Sequence, residues 1–178
     1  MRYHESFAPA PPYGVERIEV LSPGELPPGE MTFGLHHVMT KQGVRSAILD
    51  ADTAFQQEDG RRFDLRGVHL QFFTETGAES GTLTSRTGEY NPNEGSFVAR
   101  DSVVLITMSE EGTRRLETEE LFYDTRTEQI WSDSAFVLDR GGMVSRGGSF
   151  RSDVYGTNWT ATGLETDEVS TGATEITF

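Results

Sequence analysis

Hydrophobic and polar residues alternate through the middle of the chain. Phe63 and Leu65 are separated by a single charged residue, and Val68, Leu70 and Phe72 repeat the same spacing a few positions later. Successive side chains of a strand point to opposite faces, so a period of two is typical of strands with one buried face. No window keeps apolar residues at helical spacing for three turns. The pattern therefore predicts an all-β chain.

Short polar breaks interrupt this alternation at near-regular intervals. They are spaced about 17 residues apart in the first half and about 15 in the second, and most contain glycine or asparagine, which adopt positive φ at little cost. Evenly spaced hairpins of this kind predict an antiparallel meander. The breaks are Lys41-Gln42-Gly43, Asp59-Gly60, Thr76-Gly77, Asn93-Glu94-Gly95, Glu111-Gly112, Arg126-Thr127-Glu128, Gly141-Gly142 and Gly156-Thr157.

Two successive strands form a unit that repeats every 33 to 35 residues. When residues 83–105 are aligned on residues 116–138, apolar residues share columns, as Tyr90 does with Tyr123, although few identities remain. In such a stack each unit buries its apolar face against the next unit.

Strands of about 13 residues exceed the usual length and have to twist, bend or bulge. Gly67 and Gly88 lie in mid-strand, where a bulge or bend is expected. We therefore predict a repeat-built meander folded into two sheets that form a V with an apolar interior. Its first and last strands would be open edges that are free to pair with a partner.

The composition narrows the function classes. The 178 residues include 15 basic and 29 acidic residues, a formal net charge of −14, and no cysteine. This balance argues against nucleic-acid binding, because phosphate contacts need clustered lysine and arginine. The lack of cysteine excludes thiolate metal sites, disulfides and thiol nucleophiles. The uncharged stretch 102–109 is too short to cross a bilayer.

Three segments differ in composition. Six of the seven prolines fall in the first 28 residues, which predicts an extended Pro-rich leader over residues 1–30. Within it, Val15–Leu21 alternates in the manner of a short strand. The folded domain is predicted over residues 31–164. The acidic tail, residues 165–178, is expected to be either frayed or a last edge strand through Ile176 and Phe178.

Several short motifs occur in a characteristic order and spacing. They are Gly43 with Ala51-Asp52-Thr53-Ala54, Leu83-Thr84-Ser85 with Tyr90, Leu116–Leu121 with Tyr123-Asp124, and Gly148–Asp153. In these motifs residues 31–160 resemble the LptC family, whose members are periplasmic components of lipopolysaccharide export. The equivalents of the Gly-Asn-Val segments of the related repeats are Arg66-Gly67-Val68, Asp101-Ser102-Val103 and Ser134-Ala135-Phe136.

The resemblance implies an open β-jellyroll, shaped like a twisted boat, that carries lipopolysaccharide without catalysis or a cofactor. It implies three kinds of partner: lipopolysaccharide, inner-membrane ABC transporter subunits of the LptB, LptF and LptG type, and an LptA-like bridge protein. Members of the family are periplasmic and anchored to the inner membrane. We expect the native protein to carry such an anchor, which is absent from this chain.

In that family a hydrophobic groove holds the acyl chains, and sheet edges join neighbouring jellyrolls. The groove candidates are Phe55, Leu70, Phe72, Leu83, Phe97, Leu105, Leu116, Ile130, Phe136, Leu138 and Phe150. The candidates for partner edge strands are Val38, Val144, Phe150 and Val154. No catalytic residue or metal ligand is predicted.

Other functions remain open on the sequence alone. An LptA-like bridge protein shares the repeat. A carbohydrate-binding β-sandwich would use exposed aromatic residues, for which Trp131 and Trp159 are available. A polysaccharide-cleaving enzyme needs two facing carboxyls, but the adjacent acids Glu119 and Glu120 point to opposite faces of a strand, and Glu110-Glu111 is a turn. His36 and His37 diverge for the same reason.

Overall fold

The computed structural model describes residues 26–166, and all of the regular secondary structure in this range is β-strand. None of these residues forms a helix long and apolar enough to cross a bilayer. The strands are β1 (Met31–Lys41), β2 (Val44–Gln56), β3 (Phe63–Phe73), β4 (Glu79–Asn91), β5 (Ser96–Ser109), β6 (Gly112–Asp124), β7 (Gln129–Ser132), β8 (Phe136–Arg140), β9 (Met143–Gly147), β10 (Ser149–Asp153), β11 (Thr160–Thr162) and β12 (Glu165–Thr166).

The eight predicted breaks all fall at junctions between consecutive strands, and all strand pairs are antiparallel. The prediction of an all-β antiparallel fold is confirmed. The predicted strand Val15–Leu21 and the predicted edge strand through Ile176 and Phe178 lie outside the described residues.

The meander runs in order from β1 to β6 and then divides. One part of β6 pairs with β7, which continues to β10 and β11. The other part of β6 pairs with β8, which continues to β9 and β12. Within residues 26–166 the sheet therefore ends at β1 on one side and at β11 and β12 on the other.

A line of irregular residues, here called the fold line, crosses the sheet through the middle of each long strand. In β5 it passes through Asp101 and Ser102, which have φ of 68° and 55°, and the register shifts there against both neighbouring strands. In β3 it passes through Gly67, with φ of 68°. The gap at residues 133–135, between β7 and β8, continues the line.

The buried positions change phase at the fold line. Buried residues along a regular strand are two positions apart, but here the step across the line is three in five strands and four in β5. This change keeps the apolar side chains inside after each strand has turned. The steps are Thr32 to Leu35, Ala51 to Ala54, Leu65 to Val68, Ser85 to Gly88, Ala99 to Val103 and Thr118 to Leu121.

The fold line divides the sheet into two facing halves. We name them the β7 half, with β7, β10 and β11, and the β8 half, with β8, β9 and β12; β1 to β6 contribute a segment to each. Phe72 and Tyr123 lie on strands three positions apart in the sheet, yet their rings meet edge-on at 5.2 Å. Only a sheet folded over on itself allows this contact, and a single apolar core fills the space between its halves. The mouth is the side opposite the fold line, where the hairpin turns of the two halves face each other.

The chain reaches β1 along the β2–β3 turn. Leu26 is buried in the core, the Gly29 N–H donates to the carbonyl of Gln56 at 2.7 Å, and the Gln56 N–H donates to the carbonyl of Glu30 at 3.0 Å. These contacts fix the end of the proline-rich segment to the β7 half.

Gly67 is required by the fold line for two reasons. Its positive φ is unfavourable for any residue with a Cβ, and a Cβ built there lies 2.0 Å from a carboxylate oxygen of Asp52 on β2. Gly88, in contrast, lies in regular register beside the irregularity, where a Cβ would come within 3.1 Å of Phe97 and Val68. Its role is therefore close packing between the halves.

We expect Gly67→Ala to lower the free energy of unfolding by about 1–3 kcal/mol, measured by urea denaturation, because it introduces backbone strain and displaces Asp52. Gly148→Ala is the control: the nearest atom to its built Cβ is 3.9 Å away, so a change within about 0.5 kcal/mol is expected. Equal losses in the two variants would contradict the role given to the fold line.

Candidate functional site

The apolar interior between the two halves contains almost all of the predicted groove residues. Ten of the eleven are buried in one continuous core. Leu70, Leu105 and Leu138 are examples from the β8 half, and Ile130 and Phe150 from the β7 half. Phe55 is the exception, because its position in β2 is partly exposed and out of phase with the buried residues Ala54 and Gln56. That these residues line a lipid groove stays a prediction.

Side chains fill this interior. A cavity there, between Leu105, Leu116, Ile130 and Trp159, has a volume of about 10 Å³. A cavity needs about 10–15 Å³ to hold one water molecule, so this space is too small for a fatty chain. Any such ligand has to move the halves apart.

Aromatic rings close the interior near β11. Trp159 stacks on Phe150 with ring centroids 4.7 Å apart, and Phe136 meets both rings edge-on. Trp159 is only 4% exposed, so it offers no platform to a sugar. Trp131 lies between the stacked ring of Phe122 and the guanidinium of Arg151, 4.9 Å from the ring centre. Neither tryptophan presents the open face that the carbohydrate-binding alternative needs.

The loop between β10 and β11, residues 154–159, crosses the mouth and is here called the strap. Asp153, at the end of β10, organises it by accepting hydrogen bonds from the backbone N–H of Tyr155 at 3.0 Å and of Thr157 at 2.8 Å. The same carboxylate accepts hydrogen bonds from the hydroxyl of Thr157 and, at 3.2 Å, from the amide of Asn158. The strap therefore has a defined shape of its own.

A polar contact joins the strap to the β8 half, in addition to the packing of Trp159 on Phe136. The Arg114 guanidinium on β6 donates a hydrogen bond of 2.6 Å to the carbonyl of Gly156, and a second of 3.2 Å to Glu111. Arg114 is only 7% exposed, so this charged group crosses the mouth in a largely dry environment. A Cβ built on Gly156 lies 3.2 Å from the Cβ of Thr107, which shows how closely the strap approaches β5.

A second contact joins the two halves across the mouth, at the end of β1. Lys41, at the end of β1, forms an ion pair of 3.0 Å with Glu128, and the hydroxyl of Tyr155 donates to the other oxygen of that carboxylate at 3.0 Å. Burial and the Glu128 carboxylate raise the pKa of Tyr155 to about 12, so the phenol stays protonated and keeps donating. β1 and the β6–β7 turn are thereby connected although 87 residues separate them.

A solvent-open cleft of about 360 Å³ lies beside this contact, at the outer margin of the mouth. Lys41, Arg45, Glu75, Glu128 and Tyr155 are among its lining residues, so both signs of charge are present. The Arg45 guanidinium lies 4.1 Å from the centre of the Phe73 ring. The mouth is therefore polar and wet immediately outside a dry apolar interior.

The structure corrects two of the four predicted edge positions, Phe150 and Val154. Val38 lies on β1, whose outer side has no strand neighbour among residues 26–166. Phe150 is wrong as an edge residue, because β10 pairs with β7 on one side and β11 on the other. Val144 pairs with Asp139 of β8 on one side and has no strand neighbour on the other among residues 26–166, since β12 pairs with Ser145 and Arg146. Val154 is a buried strap residue outside any strand. The repeat pattern did not reveal that the sheet divides at β6 and continues through β10 to β11.

The acidic pairs and histidines do not assemble a catalytic or metal site within residues 26–166. Glu120 pairs with Arg100 at 2.8 Å, whereas Glu119 is exposed. The Nδ1 atom of His36 lies 2.6 Å from Asp50 on the exposed face of β1 and β2. No cluster of three potential metal-ligating side chains occurs in this range.

The sequence did not reveal the strap contacts. Lys41 is the single lysine of the chain and lies next to a turn, which is the one signal that could have drawn attention to it. Arg114, Glu128 and Asp153 lie in ordinary turn or strand patterns, and only the folded sheet brings them to the mouth.

The buried phenol of Tyr90 offers a test that the interior is dry. Burial raises the pKa of Tyr90 from 10 to about 12. The folded state therefore gains stability from the neutral phenol below pH 10, and this gain is lost between pH 10 and pH 12. Between pH 10 and pH 12 the free energy of unfolding of the native chain should fall by about 2 kcal/mol more than that of Tyr90→Phe, measured by urea denaturation at each pH. An unchanged pH slope would show that water reaches the ring.

Comparisons with known proteins identify the family. The sequence matches the model of the family described as LptC, lipopolysaccharide-assembly, LptC-related, over residues 36–156. No curated protein matches the chain. Among solved structures it is similar to the crystal structure of LptH, the LptA homologous periplasmic component of the conserved lipopolysaccharide transport device from Pseudomonas aeruginosa; the TM-score is 0.47, the identity is 13%, and the match covers 61% of this chain and 76% of that chain. Because the family match spans well over half of the chain, the chain belongs to the LptC-related family of lipopolysaccharide-assembly proteins.

Proposed function

We propose that the protein is a non-catalytic periplasmic bridge. It accepts lipopolysaccharide from an inner-membrane ABC transporter, holds the acyl chains between the two sheet halves, and passes them to an LptA-like bridge protein. The observation that carries this proposal is the apolar interior, which is continuous along the whole stack and lies between two halves of one folded sheet.

The extent of the core along the sheet supports a path for fatty chains. Core residues extend from Leu35 on β1, at one end of the stack, to Trp159 and Leu164 beside β11 and β12 at the other. Burial of an acyl chain contributes about 0.8 kcal/mol per methylene, and each side chain it displaces offsets part of that gain. Binding of this kind is strong enough to hold a lipid and weak enough to release it.

The distribution of polar groups supports the same orientation of the cargo. Between the halves the side chains are largely apolar, whereas acidic and basic groups line the cleft at the mouth. The chain carries a formal net charge of −14 and does not suit retention of phosphorylated sugars by charge. The headgroup therefore stays at the wet margin while the acyl chains occupy the interior.

The free edge of β1 supports docking to a neighbouring jellyroll. An edge strand presents unpaired N–H and C=O groups to which a partner strand can add. On the outer face of β1, Phe33 is 67% exposed and Met31 is 58% exposed, and Val38 is exposed further along. Large apolar side chains on an uncovered edge favour burial by a partner. We also propose that the native protein is anchored to the inner membrane.

The acyl-chain path can be tested with photo-crosslinking side chains. We expect Phe97 and Leu105, when each is replaced by a photoreactive amino acid, to capture lipopolysaccharide in cells. Met108 is the matched control, because it lies on β5 with Leu105 but faces the solvent. Adducts at least several-fold more abundant at the two interior positions are expected, and equal labelling at Met108 would contradict the path.

The docking edge can be tested with Phe33→Asp. We expect this change to weaken binding to one neighbour, either the transporter or the LptA-like protein, by at least tenfold, because a charge replaces apolar contact at the edge. The free energy of unfolding should change by less than about 0.5 kcal/mol, since Phe33 is exposed. Met108→Asp is the control on a strand paired on both sides. Unchanged affinity of Phe33→Asp for both neighbours would refute the edge assignment.

A further inference from the structure

The two halves of the sheet are joined differently along their two margins. At the fold line the backbone of β2 to β6 is continuous, so each strand itself connects the halves. At the mouth, side-chain contacts and the strap make the connection: Arg114 reaches Gly156, and Lys41 reaches Glu128. The mouth is therefore the margin that can separate without breaking a β-ladder.

The interior has to expand before a fatty chain can enter. The cavity beneath the strap has a volume of about 10 Å³, and the large core side chains around it are almost fully buried. Protein interiors of this density do not yield locally, so added volume requires movement of whole elements. The fold line provides the hinge for such a movement.

We propose that the mouth beneath the strap is the port through which acyl chains enter and leave the interior, and that the strap contacts hold this port shut in the unloaded protein. The proposal rests on the proposed lipid-carrying function. It adds the route of loading and names Arg114, Lys41, Glu128 and Tyr155 as the residues that control it.

The strap contacts suit a closure that opens without unfolding the domain. The bonds to Asp153 lie within the strap and its flanking residue, and the N–H of Val154 donates to the carbonyl of Glu128 at 3.0 Å, so the strap keeps its shape and stays with the β7 half when the port opens. Lys41 is 47% exposed, and ion pairs in such positions are weak and screened by salt. The Arg114 bond is the stronger one, because a charged donor is largely shielded from water.

The cleft beside the strap suits the polar part of the cargo. It holds about 360 Å³ of solvent-open space directly outside the mouth, and Tyr155 of the strap is one of its walls. A lipid whose chains pass under the strap would leave its sugar headgroup in this polar space. The port and the cleft are thus adjacent steps of one route.

A reversible disulfide can lock the port. The chain has no cysteine, and the built Cβ of Gly156 lies 3.2 Å from the Cβ of Thr107, slightly inside the usual 3.5–4.5 Å of a disulfide. We expect the double variant Thr107→Cys with Gly156→Cys, once oxidised, to bind purified rough-type lipopolysaccharide at least tenfold more weakly than the same sample after reduction. Met108→Cys with Thr113→Cys is the control, since these exposed positions face each other across β5 and β6 within one half. Its oxidised and reduced forms should bind equally.

A second pair of variants tests the opposite direction and does not depend on the positive φ of Gly156. Lys41→Gln removes the ion pair that crosses the mouth, and Tyr155→Phe removes the hydrogen bond that orients its partner Glu128; both changes leave the core intact. We expect both to load lipopolysaccharide at least threefold faster than the native chain, followed by stopped-flow fluorescence of a labelled lipopolysaccharide. The control is Arg126→Gln, whose side chain bonds the carbonyl of Asn93 within the β7 half.

The outcomes separate this proposal from the function on which it rests. Equal binding by the oxidised and reduced lock, or unchanged loading rates in both closure variants, would overturn the port and leave the lipid-carrying function in place. Failure of the native chain and of the control pair to bind lipopolysaccharide would overturn the function itself. If Gly156→Cys prevents binding even when reduced, the loading rates decide.

Discussion

The structure depends on one constraint: every long strand has to present apolar side chains to the same interior before and after it bends. A simple bend would leave the parity of the strand unchanged. The chain instead inserts one irregular position, so that the buried residues step by three across the fold line, as from Leu65 to Val68. Gly67 in β3 makes this step possible, whereas in β5 the step is four, from Ala99 to Val103, and includes the left-handed residues Asp101 and Ser102. Two facing halves and one shared core follow from it.

The same constraint produces a domain that is closed at rest but has two unequal margins. At the fold line the halves are joined by continuous backbone, and at the mouth they are joined by a few polar contacts around the strap. A carrier of fatty chains benefits from this arrangement, because the unloaded interior stays packed and dry and no apolar trough is left open to aggregate. Under the proposed function, loading exchanges contacts between side chains for contacts between side chains and lipid, with a small difference in free energy. Membership of the LptC-related family agrees with such a carrier.

Much of the fold could be predicted from local pattern, whereas the closure of the interior could not. Alternation and glycine-containing turns identify hairpins because both act over a few residues, and all eight predicted breaks fall at strand junctions. The branch at β6 depends on the gap at residues 133–135, which the repeat pattern did not distinguish from a regular strand, so Phe150 was placed on an edge instead of in the sheet. The contact between Lys41 and Glu128 spans 87 residues and follows only from the folded sheet. The apolar positions that align between repeats identify the interior, but they do not tell whether side chains fill it or leave it open.

The central claim is that the two halves separate at the mouth when lipid is bound, and the bend angle of a single strand reports on this most directly. Ala78 and Glu94 are exposed residues in the turns at the two ends of β4, so one lies on each side of the mouth. Because the chain has no cysteine, spin labels can be attached at Ala78→Cys and Glu94→Cys and their separation measured by pulsed electron paramagnetic resonance. The account predicts a longer distance with saturating lipopolysaccharide than without it. An identical distance distribution in the loaded and unloaded protein would contradict it.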